Sequence, residues 1–558
     1  MSRKRWTELV RAFLCICLAP MMTYACSNPS GVRFTDVTER AEIGFRYTFG
    51  DSTYENILES SGSGVTVFDY DRDGDLDLYL LNGTYLEGIS DPEGSVFSGT
   101  SNELYRNNRD GTFTEVAREA GIDDRNWSMA AGALDFDGDG DVDLYLLNFG
   151  ANVFYLNNGD GTFTDVTDSL GLRGPETLNG YTKWSVGVAF WDYNGDALVD
   201  LMVGNFLAFD PEYVSPTAPE LMPHPSEYAG QASMLYRQDS DGRFTEVTRE
   251  LGLFYPDSKC MGLTAFDYDD DGDLDLFQGN DHQMNFLFRN DGGGQFTEVG
   301  SAAGVAANDR GLPTGSMHGT IGDVDGDGLT DLLVTDLRYG ALYRSRGDGT
   351  FEDITERSGV ARAFRGKGQW AAALFDYDND GDLDIFAANG TAEELILQYP
   401  LLLENDGTGR FRDVGSRLGD YFRTKRSGRA AAVWDYDDDG DLDVIVSHID
   451  LLATPALLRN DGGNRNHWIG LTLVGTGGPA SAIGAKVTVE TGTRTQVGIN
   501  QWATGYLSYN DPRMHFGLGR DSLIERLEIR WPDGSLDVRE ELPVDEYTII
   551  VQGEGGSP

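Results

Sequence analysis

Oxygen-bearing side chains recur in this chain at loop positions 1, 3, 5 and 9, in seven stretches starting at Asp69, Asp135, Asp192, Asp267, Asp323, Asp376 and Asp435. Hard oxygen donors at that spacing suit a hard dication, calcium above all. Glycine at position 6 in six of the seven permits the sharp turn such a loop needs. The first loop offers Asp69, Asp71, Asp73, Asp75 and Asp77, and the second Asp135, Asp137, Asp139, Asp141 and Asp143. The third offers Asp192, Asn194, Asp196, Leu198 and Asp200, and the fourth Asp267, Asp269, Asp271, Asp273 and Asp275. The fifth offers Asp323, Asp325, Asp327, Leu329 and Asp331, the sixth Asp376, Asp378, Asp380, Asp382 and Asp384, and the seventh Asp435, Asp437, Asp439, Asp441 and Asp443. Leu198 and Leu329 stand at position 7, where a backbone carbonyl is the usual ligand. Without a cation each close carboxylate pair repels by about 1–4 kcal/mol, depending on the local dielectric. Up to seven Ca2+ ions are therefore expected. The third loop, with Asn194 and with Ala197 in place of glycine, is expected to bind weakest.

Strands must hold these loops, because the residues on either side cannot make an EF-hand. Position 12 of the first loop is Leu80, where an EF-hand places a bidentate Glu. Val65-Thr66-Val67-Phe68 before the loop and Leu78-Tyr79-Leu80 after it are short, β-branched and aromatic runs, the signature of strands. Positions 2 and 8 are apolar in most copies, as in Tyr70 and Leu76 or Tyr436 and Leu442, and are expected to pack inward.

Each repeat carries more than its loop. Leu104-Tyr105-Arg106-Asn107-Asn108, a turn at Asp110-Gly111 and Phe113-Thr114-Glu115-Val116 follow the first, with equivalents after the others, at intervals of 53 to 75 residues. Four strands at that period predict a propeller blade, and seven repeats predict an all-β, seven-bladed β-propeller over residues 33–463. The seventh repeat lacks its Phe-Thr-Asp-Val, which stands at the other end of the chain as Phe34-Thr35-Asp36-Val37. That N-terminal strand is expected to close the ring and to cover an open edge. These residues resemble FG-GAP/VCBS repeats, the family of integrin α-chain propellers, and the resemblance implies an integrin-α-like propeller.

From Asn464 the acidic repeat stops. His467-Trp468-Ile469-Gly470, His515-Phe516-Gly517-Leu518-Gly519 and Ile529-Arg530-Trp531-Pro532-Asp533-Gly534 resemble the ASPIC/UnbV domain, here placed at 464–552 with a small β-sandwich-like fold. The two modules in this order resemble the bacterial relatives of cartilage acidic protein 1.

The N-terminus reads as an export signal over residues 1–25: Arg3, Lys4, Arg5 and Arg11, then an apolar run from Ala12 to Met22 too short to span a membrane. Its end resembles a lipoprotein signal, which makes Cys26 a candidate lipidation site, although Thr23 stands where that family prefers Leu. The chain is therefore expected to be exported, to a bacterial cell envelope or beyond, where calcium is plentiful. With a formal net charge of −49 over 558 residues, neither nucleic acid nor an anionic membrane surface is an expected partner. Membrane association is expected only through the lipid anchor. At 40% hydrophobic and 11% aromatic residues, the chain is nonetheless a folded one.

Three further features are candidates. Trp127, Trp184, Cys260, Met317, His318 and Trp370 precede or begin the expected innermost strands and are read as a funnel-mouth pocket, with a soft metal between Cys260, Met317 and His318 as the sharpest version. The proline-rich insertion 205–233 is read as a lid. Arg346-Gly347-Asp348 sits where a sister repeat has Asn158-Gly159-Asp160 and is read as a hairpin turn. No Gly-x-Ser-x-Gly, His-Glu-x-x-His or phosphate loop is present, so a familiar hydrolase is not expected. The leading expectation is a module that binds a protein or glycan at the cell surface, and the rival is an enzyme or biosynthetic accessory protein working at the funnel mouth.

Overall fold

In the computed structural model each acidic loop joins the two innermost strands of a four-stranded antiparallel sheet. The structure describes residues 31–503 and 505–554. The export signal and Cys26 lie outside the described residues. The first sheet runs Val65–Phe68, Asp77–Leu80, Glu103–Asn107 and Phe113–Glu115, and the pair Phe68↔Asp77 closes its loop. The other inner strands are Trp127–Leu134, Ser185–Trp191, Cys260–Phe266, Thr314–Gly322, Gln369–Phe375 and Gly428–Trp434. Each touches the next in chain order, and the last returns to the first, so the sheets close into a propeller-like ring. Alanines at the crowded centre make this possible: Ala371 to Ala373 and Ala430 to Ala432 are fully buried.

The ring is sealed as the sequence requires. Arg33–Asp36 pairs antiparallel with Ala456–Asp461, with Phe34 opposite Asn460. The Thr35 hydroxyl donates to Asp461 Oδ2 at 2.7 Å, and Val37 N to Leu457 O at 2.9 Å. The first described strand is thus the outer strand of the last sheet, and it covers the edge of Ala456–Asp461 that would otherwise be open to another chain.

The C-terminal module folds as two sheets. One orders Met514–Gly519, His467–Val474 and Tyr547–Val551, the other Thr495–Ile499, Lys486–Thr491, Ile524–Arg530 and Leu536–Leu542. Both sheets feed one apolar cluster, in which Leu471, Val487, Leu527 and Ile529 are fully buried.

Between those strands the module sends a finger down the axis of the ring. Ser508–Tyr509 pairs in parallel with Val65–Thr66, and Val65 N donates to Leu507 O at 3.0 Å. Deeper still, Gly505 N donates to His318 Nδ1 at 3.2 Å, and the Tyr506 hydroxyl donates to Ser61 O at 2.8 Å. Tyr506 is fully buried, with its ring 5.0 Å from that of Trp370. What remains on the axis is a cavity of about 20 Å³, room for roughly one water.

This corrects the funnel-mouth pocket. The six residues are buried and do not gather around a common opening. Trp184 packs against Phe149, Phe206 and Phe209, and Trp370 lies between Tyr506 and the Arg429 guanidinium. A Cβ on Gly204 would strike Cys260 Sγ, which places that thiol against a neighbouring strand, where burial pushes it up to about 12 and leaves it inert. His318 commits Nδ1 to the finger, which takes that nitrogen from a soft metal between Cys260, Met317 and His318, and Trp127 and Met317 belong to the general core. The insertion at 205–233 is likewise anchored through buried Phe206, Leu207 and Phe209. Only its outer part is open, with Val214 and Leu221 each 59% exposed.

Candidate metal centres of the acidic loops

The aspartate at position 9 of each loop is the hinge between loop and sheet. Asp77 Oδ2 accepts from Tyr70 N and Oδ1 from Asn107 N, tying position 2 and the third strand to one carboxylate. The pattern repeats at Asp143, Asp200, Asp275, Asp331, Asp384 and Asp443. Burial pushes these carboxyls up, Asp143 and Asp200 to about 8, Asp275 to about 9 and Asp331 to about 7, while the two N–H donors pull the other way.

Position 1 organises the turn. Asp69 Oδ2 accepts from Gly74 N at 3.0 Å, and Asp135, Asp192, Asp267, Asp323, Asp376 and Asp435 do the same for position 6 of their own loops. Position 6 takes a left-handed backbone throughout, at φ +93 for Gly74 and φ +97 for Gly272. In the third loop Ala197 adopts it at φ 70, which costs an L residue about 1 kcal/mol.

Carboxylate oxygens converge in these loops. Asp69, Asp71 and Asp77 lie within 4.8 Å of one another, as do Asp135, Asp137 and Asp143; Asp267, Asp269 and Asp271; Asp323, Asp325 and Asp331; and Asp376, Asp378 and Asp384. At position 3, Oδ1 of Asp71, Asp269 and Asp325 is buried and accepts no hydrogen bond. Basic side chains reach some of the rims: Arg109 pairs with Asp73 and Asp75, and Arg344 with Asp325 and Asp327. The chemistry available is a cage of hard oxygen donors with surplus negative charge.

A second use of the repeat escapes the sequence reading. Asn107 at the end of its third strand donates from Nδ2 to Tyr436 O, at position 2 of the neighbouring loop. Asn157 does so to Tyr70 O, Gln238 to Phe136 O, Asn290 to Tyr193 O, Asn405 to Val324 O and Asn460 to Tyr377 O. Six of the seven loops are therefore stitched to the sheet beside them. Ser345 takes this place in the fifth sheet, and its backbone N–H makes the bond to Asp331. The asparagine recurring at the end of the third strand was visible, and only its partner across the sheet boundary was not.

The C-terminal module covers one side of this face. Tyr547 donates to Asp435 Oδ2 at 2.6 Å, Arg513 pairs with Asp438 at 2.7 Å, and Arg494 with Asp382 at 3.2 Å. His515 Nε2 meets Asn379 Oδ1 at 2.7 Å, and a Cβ on Gly440 would strike the Trp468 ring. Asp376 and Asp435 are 4% and 1% exposed, whereas position 1 in the other loops is half-buried. A cleft of about 510 Å³ opens between the module and the fifth and sixth loops, lined by Asp323, Asp325, Asp382, Arg494 and Arg513. Arg346-Gly347-Asp348 is a tight turn, closed by Arg346 N to Thr350 O at 3.0 Å with Gly347 at φ 68.

Fold and loops together define the class: an all-β ring of FG-GAP-like repeats. The FG-GAP-like repeat family matches residues 95–146, 135–203, 228–278, 267–334 and 323–387, and the ASPIC and UnbV family matches 475–557. The chain thus carries FG-GAP-like repeats ahead of an ASPIC and UnbV domain and is homologous to cartilage acidic protein 1. It is 26% identical to the Mus musculus protein over 87% of this chain and 72% of that one. It is 29% identical to the Xenopus tropicalis protein over 48% of this chain, a match that spans 40% of that relative's length. A solved Agrocybe aegerita lectin specific for non-reducing terminal N-acetylglucosamine aligns at 16% identity and a TM-score of 0.39, covering 65% of this chain and 82% of that one. Among the described residues no helix is long and apolar enough to cross a membrane.

Proposed function

We propose that the chain is an exported, calcium-stiffened propeller that serves as an interaction module. The observation that carries calcium is the set of buried, unpartnered oxygens on Asp71, Asp269 and Asp325, each close to other carboxylates of its loop. Leaving such an oxygen bare costs about 1–3 kcal/mol, and a dication that takes six to eight oxygen ligands removes the cost. Side chains at positions 1, 3, 5 and 9 would hold the ion, with the carbonyl or carboxylate of position 7. The position-9 carboxylates keep lone pairs free for this while accepting two N–H bonds each. Calcium supplies charge neutralisation here, and the chain's own residues supply the turn and its attachment to the sheets.

Recognition belongs to the opposite face. With the axis filled and one side of the loop face covered, the loops at the other end of the sheets carry Leu221, Met284, Leu312, Ile396, Leu397 and Tyr399 exposed. Apolar side chains concentrated on one face mark an interaction surface, and they favour a protein over a glycan as partner. Equilibrium dialysis against calcium, paired with calorimetry, tests the first half: several ions per chain and a raised Tm are expected, and no binding at millimolar calcium overturns it. A pull-down from envelope extract with wild type and L397D/Y399D tests the second, since partners that bind both equally use another face. Export and the lipid at Cys26 are tested by fractionation and palmitate labelling.

A further inference from the structure

Two histidines and a glutamate from three different sheets meet on the face away from the acidic loops, and none of the repeat chemistry uses them. His282 is the penultimate residue of the second strand of the fourth sheet, His224 comes from the insertion of the third, and Glu393 from a loop of the sixth. The two imidazoles pack edge to face with centroids 4.2 Å apart. His224 Nε2 lies 3.7 Å from Glu393 Oε1. That is too long for a hydrogen bond, yet close to the roughly 3.3–3.5 Å that two ligands each about 2.0–2.1 Å from one zinc ion span.

The surrounding groups hold the rings as metal ligands are held. Asp281 Oδ1 takes His282 Nδ1 at 2.5 Å, the carboxylate–histidine pairing that leaves Nε2 for a metal. Ser226 fixes His224 through Nδ1, with its hydroxyl 2.7 Å and its N–H 3.2 Å away, so Nε2 is again the free atom. A separate observation is a buried carboxylate oxygen nearby that lacks a donor. Asp336, 3% exposed, accepts from Arg338 N and Tyr339 N on Oδ1, while its buried Oδ2 accepts no hydrogen bond. The cations nearby do not answer it: Lys259 Nζ is spent on Pro225 O at 2.8 Å, and Arg338, 77% exposed at its side chain, stands 3.9 Å from Glu393.

We propose that His224, His282 and Glu393 bind a first-row transition-metal dication, zinc being the best match, with Asp281 and Ser226 as positioning residues. Two imidazoles and one carboxylate are a borderline-soft set that calcium does not select. His224 and Glu393 are about one-third exposed, so the ion would be reachable and would keep an open coordination position. The site is independent of the acidic loops, and its failure would leave their reading untouched.

The test is zinc titration of the full chain by calorimetry with calcium held in saturating excess, so that the aspartate loops are occupied. One zinc per chain is expected, weakened at least tenfold by H282A and by E393Q and abolished by H224A/H282A, with calcium stoichiometry unchanged in each. Wild type that binds no zinc, or a double variant that binds as wild type does, overturns the proposal. Should a histidine variant fail to fold, E393Q and zinc anomalous scattering from soaked wild-type crystals decide: a peak between the two imidazoles is expected, and a peak only at the aspartate loops overturns it.

Discussion

Asp69 and Asp435 hold position 1 of the same motif and make the same bond to position 6, at 3.0 and 2.8 Å. Around Asp69 the loop lies open, and its basic neighbour Arg109 comes from the same sheet. Asp435 lies under the C-terminal module, bonded by the Tyr547 hydroxyl and roofed by Arg513 and Trp468. The motif decides which atoms can meet an ion. Tertiary cover decides how wet they are, and it would decide how fast a bound ion exchanges and what else falls apart when it leaves. Repeats that are equal in sequence are thus unequal in role: the open loops stitch sheets together, and the covered ones also seat a second module.

That contrast can be broken in several ways. The largest effect is expected from the finger itself. Tyr506→Ala empties a fully buried aromatic site, and a loss of about 3–5 kcal/mol is expected in chemical denaturation. Hydrogen exchange should show the sixth and seventh loops opening first; uniform loosening of all seven would mean that the cover adds nothing local. Next, Asp435→Ala strips the partners of Gly440 N and the Tyr547 hydroxyl and is expected to cost about 2–4 kcal/mol, against about 1 kcal/mol for Asp69→Ala. Equal costs would erase the distinction. Calcium release into excess chelator, followed by stopped flow, should resolve a fast phase from the open loops and a slow one from the covered pair, and R513A should accelerate the slow phase alone. The smallest effect is a gain. Ala197→Gly relieves the left-handed alanine and should stabilise by about 0.5–1 kcal/mol while tightening the third loop. A loss there would mean that the strain is compensated elsewhere.

Much of this was legible in the sequence because it is written seven times. The loop positions, the strands on either side and even the displaced Phe34-Thr35-Asp36-Val37 stand out against their copies. What was hidden occurs once. Gly505-Tyr506-Leu507-Ser508 has no period and no capping or turn signature, and its placement follows from shape, a strand-like segment fitting a channel lined by alanine and glycine. The funnel reading failed for the same reason, since nothing local says that another module fills the hole. His224, His282 and Glu393 are separated by long stretches of chain and fall in no motif spacing, so only the closed ring brings them together.

The pairing of Arg33–Asp36 with Ala456–Asp461 also sets a timetable. Thr35 waits for a partner 426 residues downstream. As the chain emerges from a ribosome or a translocon, the first described strand stays single while the repeats between fold in turn. Pairing strands so far apart in sequence is slow, and until they meet both ends of the nascent array would offer bare strand edges to other chains. The last sheet would then be the final step in closing the ring. A truncation just before Ala456 should leave an array that aggregates instead of a smaller ring, and a chaperone that shields the N-terminal strand would act as its timekeeper.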